Sequence, residues 1–120
     1  MAANPGTPIV TKIIFPVDDL ERVAGFSRRL GFEVEAWDDS YALVTHRDDE
    51  ILHLARVDGF DRAGNRAAGY LHVQDATAWY SAWVEADAGV SPLVDEPWGM
   101  REFSLRDPAG NLLRVGQNLP

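Results

Sequence analysis

The chain has 120 residues, 46% of them hydrophobic and 25% charged, the length and balance of one compact soluble domain covering 1–120. Nineteen acidic against 11 basic side chains leave a net charge of −8, and with Lys12 the only lysine no basic stripe offsets it; a nucleic-acid backbone is excluded as a natural partner and a cation, steered over about a Debye length of roughly 10 Å, is favoured. The absence of cysteine removes disulfides and thiolate chemistry; no apolar run can cross a bilayer and the opening MAANPGTP lacks the pattern of an export signal, so a cytoplasmic protein with no membrane role is expected.

Residues 9–17, IVTKIIFPV, are apolar and β-branched and read as a strand. DDLERVAGFSRRLG follows with helical spacing of Leu20, Val23, Phe26 or Ser27, and Leu30. Asp18 is expected to cap this helix, with Glu21 three residues on, and Gly31 to end it. Three short strands, 32–37, 40–46 and 50–57, are separated by acidic turn pairs. The polar, glycine-bearing stretch 58–69 has neither a helical nor a strand period and forms the mid-chain connection. The pattern then restarts, with a strand at 69–73, a helix at 74–90 between an Asp75 cap and a Gly89 stop, and strands within 91–97, 100–107 and 111–117.

Strand, helix and three strands thus occur twice, which predicts an α+β fold of two tandem βαβββ modules, about 9–57 and 68–117. One such module cannot cover both faces of its sheet. Two of them together form a concave mixed sheet with a ligand cleft between.

Among residues able to carry chemistry, His53 and His72 lie in strands between apolar neighbours, so each points to the face opposite the aliphatic one. That face is either the cleft or solvent. No HxH spacing accompanies them, and neither a nucleophile elbow nor a phosphate loop is present. Trp79, Tyr80 and Trp83 recur at one-turn spacing and read as a core face of the second helix. Trp37 and Trp98 lie at loop edges instead, and Trp98, held between a proline and a glycine, can either stack on a planar or cationic ligand or cap the core.

REFSLRDPAGNLLRVGQ, taken with VDDLERVAGFSRRLGFEVE and the duplicated pattern, resembles the vicinal oxygen chelate superfamily, which holds glyoxalases, extradiol dioxygenases, fosfomycin-modifying enzymes and bleomycin resistance proteins. The likeness runs from about residue 9 to 117. Metal-dependent members carry ligands at positions that fall here on Lys12, near Ala68, and on Arg114. A cation and an aliphatic side chain cannot chelate a divalent metal. The chain is most similar to the bleomycin resistance group, through DDEILHLARV, AGYLHVQDATAWYSAW and Trp98-Gly99.

That resemblance implies a homodimer that sequesters a basic glycopeptide drug in clefts between its subunits, with no cofactor, no metal and no catalytic residue. It places Trp37, Tyr41, His53, Tyr70, Trp98, Arg101 and Phe103 around the ligand. The rival readings are a glyoxalase-like metal-dependent lyase or dioxygenase using His53 and His72, and a binder of another small molecule.

Overall fold

A computed structural model describes residues 3–120. In chain order the first module holds β1 (Ile13–Val17), α1 (Leu20–Arg29), β2 (Glu33–Asp38), β3 (Tyr41–His46) and β4 (Asp49–Arg56). The second holds β5 (Ala68–His72), α2 (Ala76–Glu85), β6 (Val94–Asp95), β7 (Met100–Arg106) and β8 (Leu112–Asn118). Each module makes its own four-stranded mixed sheet, ordered β1-β4-β3-β2 and β5-β8-β7-β6. In both, the first strand runs parallel to the last and the remaining pairs are antiparallel. The duplication read from the sequence is therefore a duplication of topology.

Several boundaries differ from expectation for local reasons. The cap of α1 is Asp19, whose side chain accepts from the Arg22 amide at 3.1 Å, while Asp18 accepts from Arg62 in the mid-chain loop at 3.2 Å. Asp19 is three residues before Arg22, the usual reach of a capping carboxylate. The first strand begins only at Ile13; residues 9–12 have no strand partner, and Ile9 and Val10 are exposed. The segment expected as a strand at 91–97 pairs only through Val94 and Asp95. Asp75 caps α2 as expected, accepting from the Ala78 amide at 3.0 Å, but the helix ends at Glu85, short of Gly89. Gly31 follows α1 with φ of 93°, the left-handed conformation that lets a helix stop without a Cβ clash.

One hydrophobic cluster runs through both modules. Phe15, Val17, Val44, Leu52 and Leu54 supply the inner face of the first sheet, and Phe103, Leu105, Leu113 and Val115 that of the second. Trp83 on α2, 1% exposed, sits edge-on to Phe32 and Phe103, and its indole N–H donates to the Leu30 carbonyl at the end of α1. An aromatic with a satisfied N–H can be buried at no polar cost, and here it also joins the two halves.

A second link is polar. The Asn111 side chain, 0% exposed, donates to the Pro16 carbonyl at 2.9 Å and to Asp107 at 2.8 Å, and accepts from Asn65 at 2.8 Å. The turn before β8 is thereby bound to β1 and to the mid-chain loop. Gly110 takes φ of 85° in that turn, and a Cβ on it would come within 3.3 Å of the Arg62 carbonyl. Pro16 is tolerated because β1 is an edge strand.

Replacing Asn111 by Ala should leave the Pro16 carbonyl and the Asn65 amide without their partner and lower stability by about 3 kcal/mol, or roughly 10 °C in Tm. Urea and thermal unfolding followed by tryptophan fluorescence would check this; a change below about 1 kcal/mol would show that the link is not structural.

Candidate functional site

Each sheet has one face against the core and helix and one face left open, and strand alternation decides which side chains stand on each. In the first sheet Ile14, Leu43 and His53 are register partners, and Leu52 and Leu54 on either side of His53 are core. Tyr41, Leu43 and His53 therefore stand on the open face. Trp37, at the irregularity between Ala36 and Asp38 that closes the β2–β3 hairpin, is 79% exposed and borders a 410 Å³ cavity with Tyr41 and Leu43.

His53 is held at both ring nitrogens. Nδ1 lies 2.6 Å from the Tyr41 hydroxyl and Nε2 lies 3.0 Å from Glu50. In a regular strand residues three apart point to opposite faces. Here Val44 faces Leu52 and Thr45 faces Glu50, which leaves Ile51 as the extra residue of a bulge and turns Glu50 to the side of His53. Ile51 is turned the other way, into a 230 Å³ cavity shared with Phe32, His46 and Trp79.

In the second sheet Tyr70, Glu102, Ser104 and Arg114 stand on the open face, as Tyr70 pairs with Arg114 and Arg114 with Ser104. Glu102 is 8% exposed and accepts from the Tyr70 hydroxyl at 2.7 Å. The bond passes over Gly116, where a Cβ would overlap the Tyr70 hydroxyl. Burial, then the hydrogen bond and charge of Glu102, push the Tyr70 phenol up to about 12, while Arg114 acts in the opposite sense. Trp98, 63% exposed, stands on the turn closed by the Gly99 amide donating to Glu96, with Gly99 at φ of 85°. It borders a 270 Å³ cavity with Val94, Glu96, Glu102, Ser104 and Arg114 among its walls.

Of the residues expected around the ligand, Trp37, Tyr41 and His53 thus share one open face and Tyr70 and Trp98 the other. Arg101 lies on neither, and Phe103 only borders the Trp98 cavity from the core side. Phe103, 2% exposed, packs edge-on against Tyr80 and Trp83 in the core. Arg101 grips both oxygens of Asp95 at 2.7 and 3.1 Å and donates to Thr77 on α2, holding the short β6 in place; its guanidinium keeps Asp95 below the usual carboxylate range. Both residues alternate with Glu102 along β7, so the inward side of that strand takes them. Glu50 and Glu102 were missed by sequence reading, Glu50 because a bulge is not visible in a strand pattern and Glu102 because one carboxylate among 19 carries no mark.

His72 stands on the open side of the second sheet, its ring 6.4 Å from that of Tyr70. His46 packs edge-on against Trp79 and Phe32. Among the described residues no three His, Asp or Glu side chains converge as metal ligands do.

The model of the Glyoxalase/Bleomycin resistance protein/Dioxygenase superfamily matches residues 9–115. The chain belongs to this superfamily. It is 28% identical over 111 residues to the bleomycin resistance protein of Klebsiella pneumoniae, covering 86% of this chain and 87% of that one. The crystal structure of a bleomycin-binding protein complexed with bleomycin superposes with a TM-score of 0.83 at 23% identity, covering 92% and 99% of the two chains. The bleomycin-binding protein of Streptomyces verticillus complexed with copper(II)-bleomycin gives 0.75 at 26% identity, covering 91% and 95%. In this chain the Lys12 ammonium donates to the Glu50 carbonyl, Ala68 opens β5, and Arg114 stands on the open face of the second sheet.

The Tyr70–Glu102 bond has a titration signature. Folding keeps a proton on Tyr70 that the unfolded chain releases near 10, so its contribution to stability is complete below pH 10 and is lost as the pH rises toward about 12. Ultraviolet titration at 295 nm should show one of the three tyrosines ionising about two units late, and Tyr70→Phe should remove that step. Gly116→Ala should bring it back toward the ordinary range, since the hydroxyl can no longer reach Glu102.

Proposed function

We propose that the protein captures a cationic glycopeptide of the bleomycin type and holds it without chemical change. The observation that carries this reading is the pair of exposed tryptophans, Trp37 and Trp98, each bordering a cavity on an uncovered sheet face, with carboxylates in the walls of the Trp98 cavity. An exposed indole offers a large, rigid ring face to a ligand. Beside Glu96 and Glu102 it forms a surface that attracts a planar or positively charged group through its ring face. The net charge of −8 draws such a ligand from a distance and weakens with salt.

Capture needs no metal in the protein on this reading. Arg114 puts a fixed positive charge where chelating members of the superfamily carry a carboxylate, and Lys12 puts another at the first ligand position. The rival of a metal-dependent lyase or dioxygenase would have to build its site from His53 and His72, which stand on different sheets, and His53 already has a partner at each nitrogen.

The working unit of this proposal is a homodimer whose clefts each join the first sheet of one copy to the second sheet of the other. Two features support it. The cavity at Trp37 is walled by the first sheet and that at Trp98 by the second module, so each open face supplies half of an enclosure. Ile9, Val10 and Ile14 expose apolar side chains on or before the edge strand β1.

Calorimetric titration of bleomycin into EDTA-treated protein should show one drug per chain, no turnover, and affinity that falls with added salt. Trp98→Ala should weaken it about tenfold, the size of a cation–π or stacking contact of about 1.4 kcal/mol. Absence of binding by metal-free protein, with a stoichiometric metal in the untreated sample, would overturn the proposal in favour of the enzyme. Sedimentation should give a dimer, and Ile14→Glu a monomer that binds poorly.

A further inference from the structure

The three side chains Glu50, His53 and Tyr41 form a continuous hydrogen-bonded chain that ends at the floor of the Trp37 cavity. We infer that this relay fixes the polarity of the Tyr41 hydroxyl, so that its oxygen faces the cleft as a hydrogen-bond acceptor and selects a ligand group that donates an N–H. The inference rests on the capture reading above and names what one wall of that site recognises.

The direction of each bond follows from the end of the chain. An ionised carboxylate can only accept, so Glu50, 3.0 Å from Nε2, requires the proton on that nitrogen. A neutral imidazole then has only a lone pair at Nδ1. At 2.6 Å the Tyr41 hydroxyl must be the donor. Its single proton is used inward, and what remains for a ligand is the oxygen's unused acceptor capacity. A lone tyrosine would rotate its hydroxyl to donate or accept as the ligand asked; this one cannot without losing its bond to His53.

The surroundings agree with a donor ligand. The cavity beside Tyr41 is bounded by the ring of Trp37 and by Leu43, so a group placed there meets an aromatic face and an acceptor oxygen together. That combination suits an amide N–H or a protonated amine and opposes a carbonyl or carboxylate, which would set two acceptors against each other. The arrangement is built by the bulge at Ile51: in a regular strand Glu50 would lie on the core side and leave His53 free to take either tautomer.

The test reads the tautomer and the affinity separately. Long-range proton–nitrogen NMR of the ligand-free protein at pH 7 should show His53 as the Nε2–H tautomer, and Tyr41→Phe should shift its Nδ1 resonance to that of an unbonded lone pair. Bleomycin titration should lose about tenfold with Tyr41→Phe, the size of one hydrogen bond. His53→Ala should lose several-fold, with partial recovery in His53→Gln, whose carbonyl can still accept from Tyr41. An Nδ1–H tautomer or a doubly protonated ring would overturn the inference. Loss of affinity in Tyr41→Phe with none in His53→Ala would overturn it too, because Tyr41 would then act without the relay. If the unaltered protein fails to bind bleomycin, the capture reading falls while the tautomer still decides the polarity of Tyr41.

Discussion

The buried amide of Asn111 is the constraint on which the arrangement of the halves depends. It satisfies a carbonyl of β1, a carboxylate of its own turn and an amide of the mid-chain loop at once. A buried polar group with three partners is strongly directional, since losing one leaves the others unpaired in a low-dielectric setting. Apolar contacts across the seam, such as Trp83 against Phe32, supply burial but tolerate sliding. The hydrogen bonds fix the relative position of β1 and β8, and with it the direction in which the open face of each sheet looks.

The same alternation that makes the core also makes the site. Each strand gives one set of side chains to the helix side and the other to the open side, so Phe103 and Glu102, adjacent in sequence, have opposite fates. Two departures from regularity then do what alternation cannot. The bulge at Ile51 brings Glu50 beside His53, and the missing side chain at Gly116 lets Tyr70 reach across β8 to Glu102. Each open face thereby carries a tyrosine whose hydroxyl is committed to a neighbour and a carboxylate that is bound, not loose. Such pre-ordered groups lose little entropy when a ligand arrives.

Electrostatics and shape act on different scales here. Net charge governs approach, over distances where individual residues are not resolved. The aromatic faces and the fixed hydrogen-bonding groups act only on contact. A superfamily fold can serve catalysis or simple capture, and on the proposed capture reading the difference lies in few positions: a cation at Arg114 and a His53 partnered at both nitrogens.

The duplicated βαβββ order, the acidic charge, the absence of thiol chemistry and the position of Trp37 and Trp98 at loop edges were all legible from the chain, because each depends on local pattern or composition; that both indoles are exposed came from the fold. The inward side of α2 was legible too, from the spacing of Trp79, Tyr80 and Trp83. What sequence left undecided was set by contacts between distant segments. Asp19 and not Asp18 caps α1 because Asp18 is engaged by Arg62, 44 residues on. Arg101 and Phe103 face inward because the register of β7 with β8 puts Glu102 outward. Glu50 joins His53 because of one extra residue in a ladder. Periodicity along a chain records which residues share a face, but only pairing between strands decides which face that is.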